Sequence, residues 1–175
     1  MRIIGLAGWS GAGKTTLIKR LLPCLVSRGL SVSTVKHAHH RFDIDHPGKD
    51  SFAHREAGAK EVLIVSGERF ALMHELRGDD EPELKNLLSL MTPVDLVIVE
   101  GFKSEAYPKI EIHRVENGKA FLHPEDTMIV AVASDQPELI TDRPSFDLAD
   151  IEAIADLIVV HAKPVEEVMG ALTRS

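Results

Sequence analysis

Apolar residues recur along the chain in two alternating patterns. Ile3 to Ala7, Val94 to Val99 (VDLVIV) and Thr127 to Ala133 (TMIVAVA) are short, nearly continuous apolar runs, which predict strands buried on both faces. Thr15 to Ser27 carries Leu17, Leu21, Leu22 and Leu25 at helical spacing, with Lys19 and Arg20 on the other side and Gly29 as a stop. Pro23 falls inside that pattern and is expected to kink it or end it nearby. Ser31 to Lys36 alternates as a strand, and the polar stretch HAHHRFDIDHPGKD that follows fits neither period and reads as a functional loop.

Further along, Ser51 to Ala59 predicts a short helix, Glu61 to Ser66 a buried strand, and Phe70 to Glu75 a further strand after the turn around Gly67. Pro82 to Met91, Asp150 to Val160 and Val165 to Leu172 have helical spacing. Lys109 to Arg114 (KIEIHR), Asn117-Gly118 and Ala120 to Leu122 predict a hairpin, because Asn-Gly favours a type I′ turn. Buried strands separated by helices predict an α/β fold: one domain over residues 1–175, a mostly parallel sheet covered by helices on both faces, with an added β-hairpin. Ligands of such sheets bind beyond the C-terminal ends of the strands. Gly8 to Thr15, Glu100-Gly101 and Ser134-Asp135 all fall there.

Composition narrows the partners. The 175 residues hold 20 Lys and Arg against 27 Asp and Glu, a net charge of −7, so there is no global field for nucleic acid or anionic lipid. An anionic ligand must be held by local geometry. Cys24 is the only cysteine, which excludes an intrachain disulfide and a Cys-pair zinc site and fits a reducing, cytoplasmic compartment. The apolar run at the N-terminus is too short for a secretory signal, and no run approaches the ~20 residues that span a bilayer.

Gly8-Trp9-Ser10-Gly11-Ala12-Gly13-Lys14-Thr15 matches G-x-x-x-x-G-K-[ST] between a buried strand and a helix, the context of a P-loop NTPase-like fold. In that motif backbone N–H groups converge on phosphate oxygens, the lysine reaches the β/γ-phosphates and the Thr hydroxyl meets Mg²⁺. Ser10, Gly11, Ala12, Gly13, Lys14, Thr15 and Thr16 are thus the expected nucleotide contacts. Glu100, at the end of the Val94 to Val99 run, stands where a second acid would order water or Mg²⁺, so Lys14 and Glu100 are the catalytic candidates. Thr15, Glu100 and Asp45 are the metal candidates. His37, His39, His40 and His46 in the polar loop are further candidates for metal or phosphate, weighed against a hydrated loop that uses few of its residues. Asp135 is placed to accept from N1 and N2 of guanine, although the rest of an N/T-K-x-D pattern is absent; the alternative is a turn residue before Pro137.

Taken together, GLAGWSGAGKTTL, TVKHAHH with D-x-PGKDS, REAGA, DLVIVEGFK and AVASD resemble the MobB family, the adaptor protein of molybdopterin-guanine dinucleotide biosynthesis, over about residues 2–160. The resemblance implies a homodimer that binds GTP and Mg²⁺, has weak GTPase activity and assists the guanylyltransferase that joins GMP to molybdopterin. Molybdopterin or its guanine dinucleotide is a further candidate ligand. Related dimeric ATPases carry a lysine that reaches into the partner's site; Trp9 holds that position here, which fits slow hydrolysis. Two enzyme-like readings stay open. A small-molecule kinase would share the phosphate loop but would need an acceptor base and an Arg-rich lid. A nickel-chaperone GTPase is suggested by the histidines alone.

Overall fold

The computed structural model describes residues 1–38, 42–102, 104–139 and 142–172. The chain divides into two compact units, one of Met1–His37 with Leu90–Ser175 and one of Ala38–Ser89.

The first unit is built on strands β1 (Arg2–Ala7), β2 (Val32–Lys36), β5 (Leu96–Glu100), β6 (Lys109–His113), β7 (Ile129–Ser134), β8 (Ser145–Asp147) and β9 (Lys163–Pro164). Their order is β2-β5-β1-β6-β7-β8, with every neighbour in that path parallel, and β9 joins the first residues of β1 antiparallel. Period-two alternation sends Ile4, Leu6, Leu96, Ile98, Ile110, Ile112, Ala131 and Ala133 to one face. Helices α1 (Lys14–Ser27) and α4 (Ile151–His161) cover that face through Leu17, Leu21, Leu25, Ile154 and Ile158. Each such Leu or Ile is worth about 1.5–3 kcal/mol of burial, so this layer anchors the phosphate-loop strand and its helix together. Pro23 does not end α1; the lost intrahelical hydrogen bond is outweighed by Leu21 and Leu25, both fully buried beside it. Asp150 caps α4 by accepting from the Ala153 N–H at 3.0 Å, and α5 (Val165–Leu172) follows β9. No helix among the described residues is long and apolar enough to cross a membrane.

The hairpin expected around Asn117-Gly118 is not formed. Lys109–His113 is instead an interior strand, parallel to β1 and β7, and Val115–Asn117 is a 3-10 turn closed by Gly118 at φ 58°. The polar residues of KIEIH are the cause. Lys109, Glu111 and His113 are buried at 2%, 1% and 6% exposure and bind the segment that covers them. Lys109 pairs with Asp126 at 2.9 Å. Glu111 accepts from the Leu122 and His123 N–H groups at 2.7 and 3.0 Å and from His123 Nδ1 at 3.0 Å, and His113 Nε2 donates to the Lys119 carbonyl at 3.1 Å. The backbone donors of Leu122 and His123 therefore serve a carboxylate and not a ladder.

In the second unit, β3 (Glu61–Val65) and β4 (Phe70–His74) form a two-stranded antiparallel sheet with helix α2 (Asp50–Glu56) against β3, and the unit also holds α3 (Leu84–Ser89). The added hairpin lies here. The expectation of a buried strand at Glu61 to Ser66 fails, because a lone pair of strands has only one face to cover. Val62 and Met73 pair and are buried, whereas the Leu63–Leu72 and Val65–Phe70 pairs share the other face and are 50–72% exposed.

Candidate nucleotide site

At the C-terminal end of β1 the chain turns at Gly8, whose φ is +147° and where a Cβ would stand 2.5 Å from the Ile112 carbonyl oxygen. Only glycine allows β6 to pass this close to the loop. The Ala12 N–H then donates to the Trp9 carbonyl at 3.2 Å, and the Ala12 side chain turns into the core, so this residue offers a ligand only its backbone. Gly13 is the N-cap of α1, whose first turn holds no acidic residue. The positive end of the helix is thus open to an anion.

Ser10, Gly11, Gly13, Lys14, Thr15, Thr16, Lys36 and Glu100 line one pocket. Seven of these eight are the residues named from the phosphate-loop motif and the strand-end acid. Lys14 Nζ donates to the Gly8 and Trp9 carbonyls at 2.9 and 3.0 Å, folding back across its own loop. Glu100 is held there by parallel pairing on both sides: opposite Leu6 of β1 and opposite Lys36 of β2. Its side chain is 14% exposed, and Lys36 Nζ stands 3.8 Å away. The following turn is tight. Gly101, at φ +105°, leaves 2.4 Å between a Cβ and His37 Cβ, and the Tyr107 hydroxyl donates to the Gly101 carbonyl at 3.1 Å. Burial pushes the Tyr107 phenol well above its ordinary range, so it remains a donor.

Asp135, at the end of β7, uses Oδ1 to accept from the Val115 N–H at 3.1 Å, which fixes the turn after β6. Asp45 belongs to the second unit, where its carboxylate meets Arg55; that guanidinium also holds Asp43 at 3.0 Å and Glu75 at 2.9 Å. Burial raises the Asp45 carboxyl, but the Arg55 guanidinium beside it brings it below the ordinary range. As a buried ion-pair partner it braces its own unit. His46 is exposed, the His37 ring lies tilted against Phe102 with centroids 4.7 Å apart, and His39, His40 and Arg41 lie outside the described residues. Among the described residues no group of three or more His, Cys, Asp or Glu side chains is placed to hold a metal. A site with one hydroxyl and one carboxylate suits Mg²⁺, which keeps waters and takes phosphate oxygens.

Lys36, Arg114 and Asn117 at the loop escape the sequence pattern. Lys36 ends TVK and becomes significant only through its register with Glu100. Arg114 precedes the 3-10 turn after β6 and Asn117 ends it, and their side chains lie against Gly13 and Gly11. Trp9, the departure from the lysine of related ATPases, donates its indole N–H to the Ala120 carbonyl at 2.8 Å.

The sequence model of a family described as molybdopterin guanine dinucleotide synthesis protein B matches residues 3–135. The molybdopterin-guanine dinucleotide biosynthesis adapter protein of Escherichia coli (strain K12) is 43% identical over 163 residues, covering 90% of this chain and 91% of the relative. That of Haemophilus influenzae is 42% identical over 160 residues, covering 89% and 86%. A crystal structure of Bacillus subtilis MobB superposes with a TM-score of 0.70 at 26% identity, covering 93% of this chain and 99% of that one. The MobB homolog from Bacillus stearothermophilus gives 0.68 at 27% identity, covering 90% and 95%. Since the family model spans most of the chain and the curated relatives align along nearly its whole length, the chain belongs to the MobB family.

Proposed function

We propose that the protein is a GTP- and Mg²⁺-binding adapter of molybdopterin-guanine dinucleotide biosynthesis, which supports the guanylyltransferase that joins GMP to molybdopterin and hydrolyses GTP slowly. The observation that carries this reading is the single pocket shared by Ser10, Gly11, Gly13, Lys14, Thr15, Thr16 and Glu100. The loop's N–H groups and the open α1 terminus bind phosphate, and Lys14 exchanges its two carbonyl contacts for phosphate oxygens. Thr15 and Glu100 are the residues that would hold Mg²⁺, which supplies neutralisation of phosphate charge. Slow turnover follows from Glu100 being the one acid in the pocket and from Trp9 standing where related ATPases offer a lysine. Asp135 keeps Oδ2 for guanine while Oδ1 holds Val115.

A homodimer is part of this reading. The exposed apolar face of Leu63, Leu72, Val65 and Phe70 supports it, because four large apolar residues in facing pairs on one small sheet favour a second copy over water. Calorimetry of the full chain with GTP and Mg²⁺, followed by pull-down of the guanylyltransferase with and without the nucleotide, tests the proposal. Saturable GTP binding and capture of the enzyme are expected; no GTP binding overturns it.

A further inference from the structure

The phosphate loop has a second flank, opposite β5. Parallel pairing of Gly5 to Ala7 with Lys109 to Glu111 makes β6 the direct neighbour of β1, so the residues after His113 run beside the loop. Arg114 Nε stands 3.1 Å, and Nη2 3.6 Å, from the position a Cβ on Gly13 would take. The Asn117 amide stands 3.6 to 3.7 Å from the corresponding position on Gly11. Both residues are partly buried, and among the described residues neither side chain has an ion pair or a hydrogen bond. Their backbone, in contrast, is fixed: Asp135 Oδ1 accepts from the Val115 N–H, and the Asn117 N–H donates to the Arg114 carbonyl at 3.1 Å.

Such an arrangement is electrostatically incomplete. A guanidinium with five donors and, among the described residues, no acceptor lies against Gly13 at the positive end of α1, in a chain whose net charge is −7. Cations gathered at a helix N-terminus repel one another until an anion joins them. The unused acceptor and donors of Asn117 sit in the same wall. Lys36 and Glu100 occupy the pocket on the β5 side, where the terminal phosphate and Mg²⁺ belong, so a nucleotide lying across the loop extends its nucleoside toward β6.

We propose that the β6 terminus is the nucleoside-side wall of the nucleotide site: Arg114 binds the α- and β-phosphates, and the Asn117 amide faces the nucleoside. Asp135 is a positioning residue for both through Val115. This inference rests on the phosphate-loop reading above and adds its second half.

The test is calorimetric titration of the full chain with GTP, GDP and inorganic tripolyphosphate, each with Mg²⁺. Arg114→Ala weakens all three by about tenfold or more, the scale of one charge-assisted contact, and Arg114→Lys recovers part of the loss. Asn117→Ala weakens GTP and GDP several-fold and leaves tripolyphosphate unchanged. Thermal midpoints stay at the parent's, since neither side chain carries a hydrogen bond among the described residues. Unchanged GTP and GDP affinity in Arg114→Ala, while Lys14→Ala abolishes binding, overturns the proposal and leaves the phosphate-loop site intact. Equal losses for tripolyphosphate and GTP in Asn117→Ala overturn the assignment of Asn117 to the nucleoside. A parent that binds no nucleotide overturns the phosphate-loop reading and this wall with it.

Discussion

Lys36 Nζ and Glu100 Oε1 stand 3.8 Å apart, brought opposite one another by the parallel register of β2 on β5. The lysine is 61% exposed and the carboxylate only 14%, so the pair is asymmetric: Glu100 is fixed by the sheet and Lys36 is free to swing. An exposed ion pair of this kind contributes about 1 kcal/mol or less to stability. Its use is local neutralisation. In the proposed nucleotide site Lys36 would screen Glu100 and stand within reach of a terminal phosphate.

Lys14→Ala and Thr15→Ala are expected to weaken GTP–Mg²⁺ binding by roughly 10- to 100-fold each, because each removes a charged or metal-bound contact without emptying a core. Both side chains are partly or fully exposed, so the thermal midpoint should stay near the parent's. Calorimetry beside a melting curve checks both halves; parental GTP affinity in either variant would contradict the site.

Glu100→Gln keeps the shape of the side chain and removes its charge. Nucleotide affinity should hold within a few-fold, because the proposed phosphate contacts come from the loop and helix terminus, while single-turnover GTP hydrolysis should fall below the parent's. Equal hydrolysis by parent and variant would reduce Glu100 to a sheet-end carboxylate.

Acid should destabilise the fold through identifiable groups. The Asp45, Asp79, Asp95 and Glu152 carboxyls lie below their ordinary range, Asp79 through the Lys60 ammonium, Asp95 through the Ser31 hydroxyl and N–H, and Glu152 through the Arg28 guanidinium. A depressed folded-state value means that the unfolded chain binds more protons in acid. The stabilisation is therefore complete above the unfolded value of about 4 and is lost as pH falls below it through the folded values. Melting temperature from pH 7 to pH 3 should drop most steeply at the acid end, and Asp45→Asn should flatten that drop; a parallel curve in the variant would contradict it.

The phosphate loop, β1, α1 and α5 were legible in the sequence because their signals are local: a motif with fixed spacing, an apolar run, a 3.6-residue period. What failed was decided by distant partners. KIEIH alternates apolar with charged, which reads as a strand with one wet face, yet Lys109 and Glu111 are buried because Asp126 and His123 reach them from 17 and 12 residues away. EVLIV reads as buried, yet only its Val62 is, since burial of a strand depends on what covers it. The candidate site divides the same way. Loop residues and Glu100 were visible from the motif and a strand end, whereas Lys36, Arg114 and Asn117 acquire meaning only when the strand order sets β2 beside β5 and β6 beside β1.

Base recognition gives the sharpest test of the site. Asp135 has one oxygen on the Val115 N–H and one left for a ligand, and guanine offers a carboxylate N1–H and an exocyclic amine where adenine has no N1 donor. GTP should therefore outcompete ATP, by roughly 2–4 kcal/mol if the contact is desolvated, and Asp135→Asn should erode the difference. Because Asp135 also holds the turn that carries Arg114 and Asn117, the variant should lose some affinity for both nucleotides as well as discrimination between them. Competition of ATP and GTP against a fluorescent GTP analogue, in parent and variant, separates the two effects. Equal competition by ATP in the parent would mean that Asp135 shapes the turn and does not read the base.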